Sequence, residues 1–254
     1  MRRQRGFTLV ELLVVIAVIA LLMAILLPIL SKVRRKTKAV VCQSNLRQWG
    51  FAFPMYADGN SGYMPTASKE WQDALRPYYA DTNDLLYCPM ATKLITEGGR
   101  HPFTAFDTAA FSFEPGGYCG SYGINSWVCN PPPEERINPY GLPTSNNWRT
   151  VNPRGASYVP LLLDSMWIDA YPDNTNEPPP FDGDLGGSIS WGSRQIGMFC
   201  IDRHDGFING VFLDFSVRKI GLKELWKLKW HRKSDINAPT PAWPDWMKKF
   251  KDYD

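Results

Sequence analysis

Four sets of residues in this 254-residue chain could do chemistry. The first is Glu11, the one charge in the apolar run from Phe7 to Leu30. A carboxylate inside such a run is costly in lipid, so it marks a functional position, and its natural compensation is a positive charge from another protein. The second is His204, with Asp202, Asp205 and Asp214 near it in sequence. A general base needs an oriented proton path, and a metal site needs three or four convergent ligands. One histidine among turn-type aspartates supports a structural role instead: His204 on backbone at a sheet edge, the aspartates capping turns. The third is Asp173, Asp182 and Asp184, with Asn174 and Asn176 between them; oxygen ligands alternating on a glycine-containing loop suit calcium. EF-hand spacing, with its closing glutamate, is missing. The fourth is the five cysteines, Cys42, Cys88, Cys119, Cys129 and Cys200. Without a CxxC and with three histidines, they argue against structural zinc. If the domain is extracytoplasmic, disulfides are allowed; Cys119 with Cys129 and Cys42 with Cys88 are candidate pairs, and one cysteine is left over.

The element that must position Glu11 is a helix. About 24 apolar residues rising 1.5 Å each span about 36 Å, enough for a bilayer core of about 30 Å. A secretory signal has a shorter apolar core and a small-residue cut site after it. Here basic residues follow the run (Lys32, Arg34, Arg35, Lys36, Lys38), and the small residue suited to cleavage, Gly6, precedes it. The expected order is a leader over residues 1–6, a helix over 7–56 with its membrane part at 7–30, and a globular domain over 57–254. Val40, Val41, Leu46 and Trp49 keep a helical period beyond the membrane, and Pro54 is expected to disrupt it.

Downstream, 21 prolines and 20 glycines favour a loop-rich domain. A short helix is expected over 70–79, and strands over 118–128, 158–164, 198–201, 211–213 and 217–220. The fold class is α+β, a long N-terminal helix packed on a small, mostly antiparallel sheet. Leu222, Leu225, Trp226 and Trp230 share one face of a basic C-terminal helix, read as an anchor to the domain; Trp243 and Trp246 either clamp the chain end or form a platform for a partner or sugar. Without Arg2, Arg3 and Arg5 the 28 basic residues equal the 25 acidic ones, which points away from nucleic acid. Nucleophile-elbow, Walker, HExxH and dinucleotide fingerprints are missing, so the chain is not read as an enzyme.

Gly6-Phe7-Thr8-Leu9-Val10-Glu11 resembles the processing signal of the type IV prepilin family almost letter for letter, and Pro28 sits where many members carry a proline. The resemblance implies cleavage after Gly6 by prepilin peptidase and methylation of the new N-terminal Phe7. It also implies pairing of Glu11 with the N-terminal amine of a neighbouring subunit. The expected partners are other pilin or pseudopilin subunits and an inner-membrane assembly platform. The implied location is the inner membrane, single-pass, with the domain outside the cytoplasm and later in a filament. Counting basic residues on the two flanks points the other way, but a cleavable leader of this form works only on the cytoplasmic side. Past the helix the chain resembles the branch named for an H-x9-DG motif. His204 is followed ten residues later by Asp214, with Phe215 where glycine is expected. SNLRQWGFAFPMYADGNSGYMP, LLYCPMA, SYGINSWV, PLLLDS and LKELWKLKWHR also look similar to that branch. At Phe215 a different turn is expected, with the ring packed rather than strained.

The implied function is a structural subunit of a type II secretion pseudopilus or a type IV pilus-like filament. The alternative is a membrane-anchored minor pilin or adhesin that binds polysaccharide or a secreted client. No cofactor is implied except calcium, which major pseudopilins often bind in a distal loop; their loop motif is not reproduced here.

Overall fold

The computed structural model describes residues 9–68, 70–79, 83–91, 93–97, 102–111, 117–151, 153–184 and 195–253. Helix α1 runs from Leu9 to Gly59, 51 residues in one piece. Its two halves differ in kind. Every residue from Leu9 to Lys38 is exposed, whereas Ala39, Cys42, Leu46, Trp49, Phe53 and Ala57 are buried. Steps of three or four place those six on one stripe, which is how a helix covers a sheet. Pro28 and Pro54 both lie inside the helix. The sequence places the helix end at about residue 56, with Pro54 disrupting it; the chain stays helical three residues further, to Gly59. The proline removes one hydrogen bond, but Phe53 and Ala57 on either side of it are buried against the domain, and tertiary packing sustains most protein helices. The exit uses left-handed backbone at Ser61 (φ 58°) and Gly62 (φ 83°), with Asn60 and Gly62 N–H donating to Ala57 O.

A short helix, α2 (Trp71–Leu75), follows and runs into a 3-10 turn at Arg76–Tyr78. The strands in chain order are β1 (Lys93–Leu94), β2 (Thr104–Asp107), β3 (Cys119–Gly120), β4 (Tyr122–Asn125), β5 (Pro160–Asp164), β6 (Asp169–Ala170), β7 (Phe207–Phe212) and β8 (Val217–Gly221). The main sheet has the order β6-β4-β5-β7-β8, antiparallel except for the β4–β6 pair. A second sheet is β1-β2-β3, parallel then antiparallel. This is the expected α+β architecture.

The main sheet is buried on both faces, so β5 reads as an unbroken apolar run, Pro160-Leu161-Leu162-Leu163. On one side Leu46, Trp49 and Phe53 of α1 join Tyr122, Ile124, Leu162 and Val211. On the other, Leu163, Ile208, Phe212 and Ile220 meet Trp226, Trp230 and Met247. Val211 and its neighbour Phe212 fall on opposite sides, the two-residue alternation of a strand. Two expectations fail here. Residues 198–201 are not a strand; a 3-10 turn at Gln195–Met198 leads into irregular chain. The basic C-terminal helix shrinks to a 3-10 turn at Lys223–Lys227, although Leu222, Leu225, Trp226 and Trp230 are buried as an anchor would be.

The β7–β8 hairpin also departs from expectation. Phe215 keeps the left-handed geometry (φ 63°) that glycine would supply. Its N–H donates to Phe212 O at 2.8 Å, and Asp214 Oδ1 accepts from Ser216 N–H and Oγ–H at 3.0 and 2.6 Å. A non-glycine residue costs about 1 kcal/mol in this region. The half-buried ring offsets it by packing against the α1-side core. The turn reaches the helix at Gly50, where a Cβ would lie 3.2 Å from Val211 Cγ2 and 3.4 Å from Phe215 O.

Candidate functional site

The exposed half of α1 is a continuous apolar surface. Its best 18-residue window has a mean hydropathy of 3.3 and none of it is buried within the molecule. Leu, Ile and Val side chains from Leu9 to Val33 therefore face outward all around the helix. Such a surface needs lipid or another protein to cover it. Glu11 sits in the first turn, at the tip. Gly6 and Phe7, the expected processing and methylation residues, lie outside the described residues. At the base of the apolar half, Arg35 Nη1 donates to Asp205 Oδ1 at 3.0 Å, so the basic collar touches the domain through one exposed ion pair. Ser31 Oγ–H donates to the carbonyl of Pro28 itself at 2.8 Å, a local side-chain bond to the helix backbone.

Where α1 meets the sheet, the structure brings together residues that sequence reasoning left apart. Cys42 comes from α1, Cys88 from the loop after the 3-10 turn at Asn83–Leu86, Asp164 from the end of β5, and His204 from the loop before β7. All four are buried, and their donor atoms lie within 4.8 Å of one another. Cys42 Sγ is 3.5 Å from each Asp164 oxygen; Cys88 Sγ is 3.4 Å from His204 Nε2; His204 Nε2 is 3.2 Å from Asp164 Oδ2. Among the described residues this is the one group of three or more such donors close enough to share an ion.

Neighbours hold each member in place. Arg203 is fully buried, and its Nη1 lies 3.3 Å from Asp164 Oδ1. Its remaining N–H groups donate to carbonyls of Pro102, Thr104, Ser121 and Ser165. Tyr122 O–H donates to Cys42 Sγ at 3.4 Å, Asn209 N–H donates to Asp164 Oδ2 at 2.8 Å, and Cys88 N–H donates to Ser121 Oγ at 2.6 Å. Burial alone would raise the Asp164 carboxyl, but His204 and Arg203 outweigh it and hold it down at about 2. The same carboxylate outweighs the burial of His204 and lifts that imidazole to about 9. Burial pushes the Cys42 thiol well up. Cys88, for all its burial, is lowered to about 7, mainly by the hydrogen bond from Cys42 and then by His204.

His204 therefore does not cap a backbone edge, contrary to the structural reading: its Nε2 engages a carboxylate and a thiol, while Asp214 is ten residues away in the hairpin turn. The disulfide pairs are also corrected, since all five cysteines are free. Cys129 is enclosed near Asp169, whereas Cys119 lies beside Asp107 and Tyr87, so those two occupy different neighbourhoods. Cys42 and Cys88 are side by side with both thiols unjoined. The calcium set does not converge either. Asp173 takes His231 Nε2 at 2.8 Å and Thr175, Asp182 accepts from Asp202 N–H, and Asn174 Nδ2 donates to the carbonyls of Trp226 and Leu228. Asp184, nearly buried, belongs to no shared donor group among the described residues. Trp246 Nε1–H donates to Pro179 O at 2.8 Å and Trp243 packs edge-on to Trp226, so both clamp the chain end rather than form a platform.

Two clefts share Tyr140 and Tyr171, with volumes of about 270 and 330 Å³. They stand at the small end of ligand sites. The signal for the buried cluster was present but scattered: Cys88, Asp164 and His204 sit in LLYCPMA, PLLLDS and the H-x9-D segment, and Cys42 just before SNLRQWG. Only the fold shows that they meet. Residues 1–27 match the family model described as the prokaryotic N-terminal methylation motif. No curated protein and no solved structure gives a match to the chain.

Proposed function

We propose that this chain, which carries a prepilin-type N-terminal methylation motif, is a pilin-like structural subunit of a type II secretion pseudopilus or a type IV pilus-like filament. The observation that carries the reading is the bipartite α1. Residues 9–38 are apolar in their first part and exposed throughout, while the same helix continues into the core of a folded domain. Such a helix can be stored in a bilayer and then transferred, still covered, into the apolar centre of a filament. Association of apolar helices in either setting relies on packing and on pairing of the few polar groups.

In this reading prepilin peptidase cuts after Gly6, Phe7 becomes a methylated N-terminus, and its amine meets Glu11 of a neighbouring subunit. Pairing the two charges removes the cost of leaving either alone in hydrocarbon and sets the register between subunits. The domain lies outside the cytoplasm, with the basic collar at the headgroups, and its role is structural rather than enzymatic. The test is mass spectrometry of the N-terminal peptide from native membranes. A peptide that begins with N-methylated Phe7 supports the reading; an intact leader on the membrane-bound chain refutes it and leaves an uncleaved anchor.

A further inference from the structure

We propose that Cys42, Cys88, Asp164 and His204 form a structural zinc site that fastens the extramembrane half of α1 to the main sheet. Zinc in structural sites takes four ligands in a tetrahedron, with sulfur at about 2.3 Å and nitrogen or oxygen at about 2.0–2.2 Å. The edges of such a tetrahedron are about 3.3–3.8 Å long. The contacts of 3.5 Å (Cys42–Asp164), 3.4 Å (Cys88–His204) and 3.2 Å (His204–Asp164) are close to that length. Two thiols, an imidazole and a carboxylate oxygen are a borderline-soft donor set; calcium and magnesium prefer all-oxygen shells.

The charge count fits as well. Two thiolates and one carboxylate bring three negative charges; Zn²⁺ offsets two, and the buried Arg203 guanidinium on Asp164 Oδ1 offsets the third. The ligating forms are two thiolates and a neutral imidazole, so binding is balanced by release of the protons that the two sulfurs and His204 Nε2 carry beforehand. Arg203 and Tyr122 are then the outer partners, one on the carboxylate oxygen turned away from His204 and one on Cys42 Sγ. His204 Nδ1 has no hydrogen-bond partner among the described residues, so its ring is oriented by what Nε2 meets. The four ligands come from positions 42, 88, 164 and 204. One ion therefore closes long loops and ties the helix to three parts of the domain. That explains why sequence spacing argued against zinc: no two ligands are near each other along the chain.

The experiment uses the full chain purified in mild detergent under reducing conditions without chelator, with zinc measured by elemental mass spectrometry. About one zinc per chain is expected, lost in Cys88→Ser and His204→Ala and retained in Cys129→Ser and Cys200→Ser, whose thiols are buried elsewhere. Because a ligand variant can lose its metal by misfolding, the unmutated chain is also exchanged with Co²⁺. Thiolate-to-cobalt charge transfer and intense tetrahedral ligand-field bands are expected. Background zinc in the unmutated chain, with its thiols free, overturns the proposal. So does a Cys42–Cys88 disulfide in unreduced chain from native membranes, or a cobalt spectrum without thiolate bands.

Discussion

Replacing a leucine by alanine at two places along α1 tests the division of that helix most directly. Leu46 is fully buried between the helix and the sheet, whereas Leu26 is 61% exposed in the apolar half. Leu46→Ala removes three carbons, worth about 2.4 kcal/mol at 0.8 kcal/mol each, and leaves a cavity that adds about 24 cal/mol per Å³. Trp49 and Phe53, in the same fully buried cluster, restrict collapse of the site. The expected loss is about 3–4 kcal/mol, which for a domain of this size lowers the melting temperature by about 6–16 °C. Leu26→Ala changes nothing inside the molecule, and its expected effect in micelles is within about 0.5 kcal/mol. Urea unfolding in detergent, followed by tryptophan fluorescence, reads both. The chain has 10 tryptophans, and Trp49, Trp71, Trp127, Trp226 and Trp230 are fully or nearly fully buried. A loss below about 1 kcal/mol for Leu46→Ala, or equal losses for the two variants, refutes the packing of α1 on the sheet.

Glu11→Ala should leave cleavage after Gly6 intact and lower recovery in sheared filaments by about 150- to 5,000-fold, from a cost of about 3–5 kcal/mol for an unpaired buried amine; immunoblots of sheared and membrane fractions measure it. Phe215→Ala and Phe215→Gly lose the same ring contacts, but only alanine keeps the left-handed strain, so glycine should be the more stable by about 1 kcal/mol in denaturant titrations, the reverse of the usual order. His231 Nε2 holds the Asp173 carboxyl well below its ordinary range, helped by Thr175. A depressed carboxylate adds stability above its unfolded value of about 3.9 and loses it as the pH falls through that point and below. The Asp173 side chain is 39% exposed, so Asp173→Asn should cost only about 1 kcal/mol at pH 7, and the gap from the unmutated chain should close as acid is added below about pH 4. Tyr122→Phe removes the donor to Cys42 Sγ without changing the ring; zinc affinity in a chelator competition should fall about 10-fold with the fold intact.

How much was legible follows from the range of the interactions involved. Local patterns were readable. A periodic stripe ran through Leu46 and Trp49, an apolar run marked β5, the strand expected over 217–220 is β8, and Trp226 and Trp230 are buried as an anchor would be. Readings failed where local preference met a distant partner. Pro54 is expected to disrupt the helix, yet buried Phe53 and Ala57 on either side of it hold the helix on to Gly59. Residues 198–201 look like a strand by composition, but Met198 closes a 3-10 turn and Phe199, Cys200 and Ile201 are buried as irregular chain. Phe215 should avoid a left-handed turn, yet contact with the α1-side core outweighs about 1 kcal/mol of strain.

The amino-acid sequence alone determined the membrane-competent helix, the carboxylate in its first turn and the N-terminal methylation motif over residues 1–27. All three are contiguous, and their physics needs only length, hydropathy and order along the chain. It determined also that the rest would be an α+β domain. The tertiary structure decided which residues meet. Cys42, Cys88, Asp164 and His204 share a buried site because α1 crosses the sheet next to the end of β5 and the loop before β7. It likewise separated Asp173, Asp182 and Asp184, which look like one loop site in the sequence, onto His231, Asp202 and surroundings of their own. Sequence proximity sets which groups are tethered together; chain packing and hydrogen bonding set which way they face, and convergence on one point depends on the second.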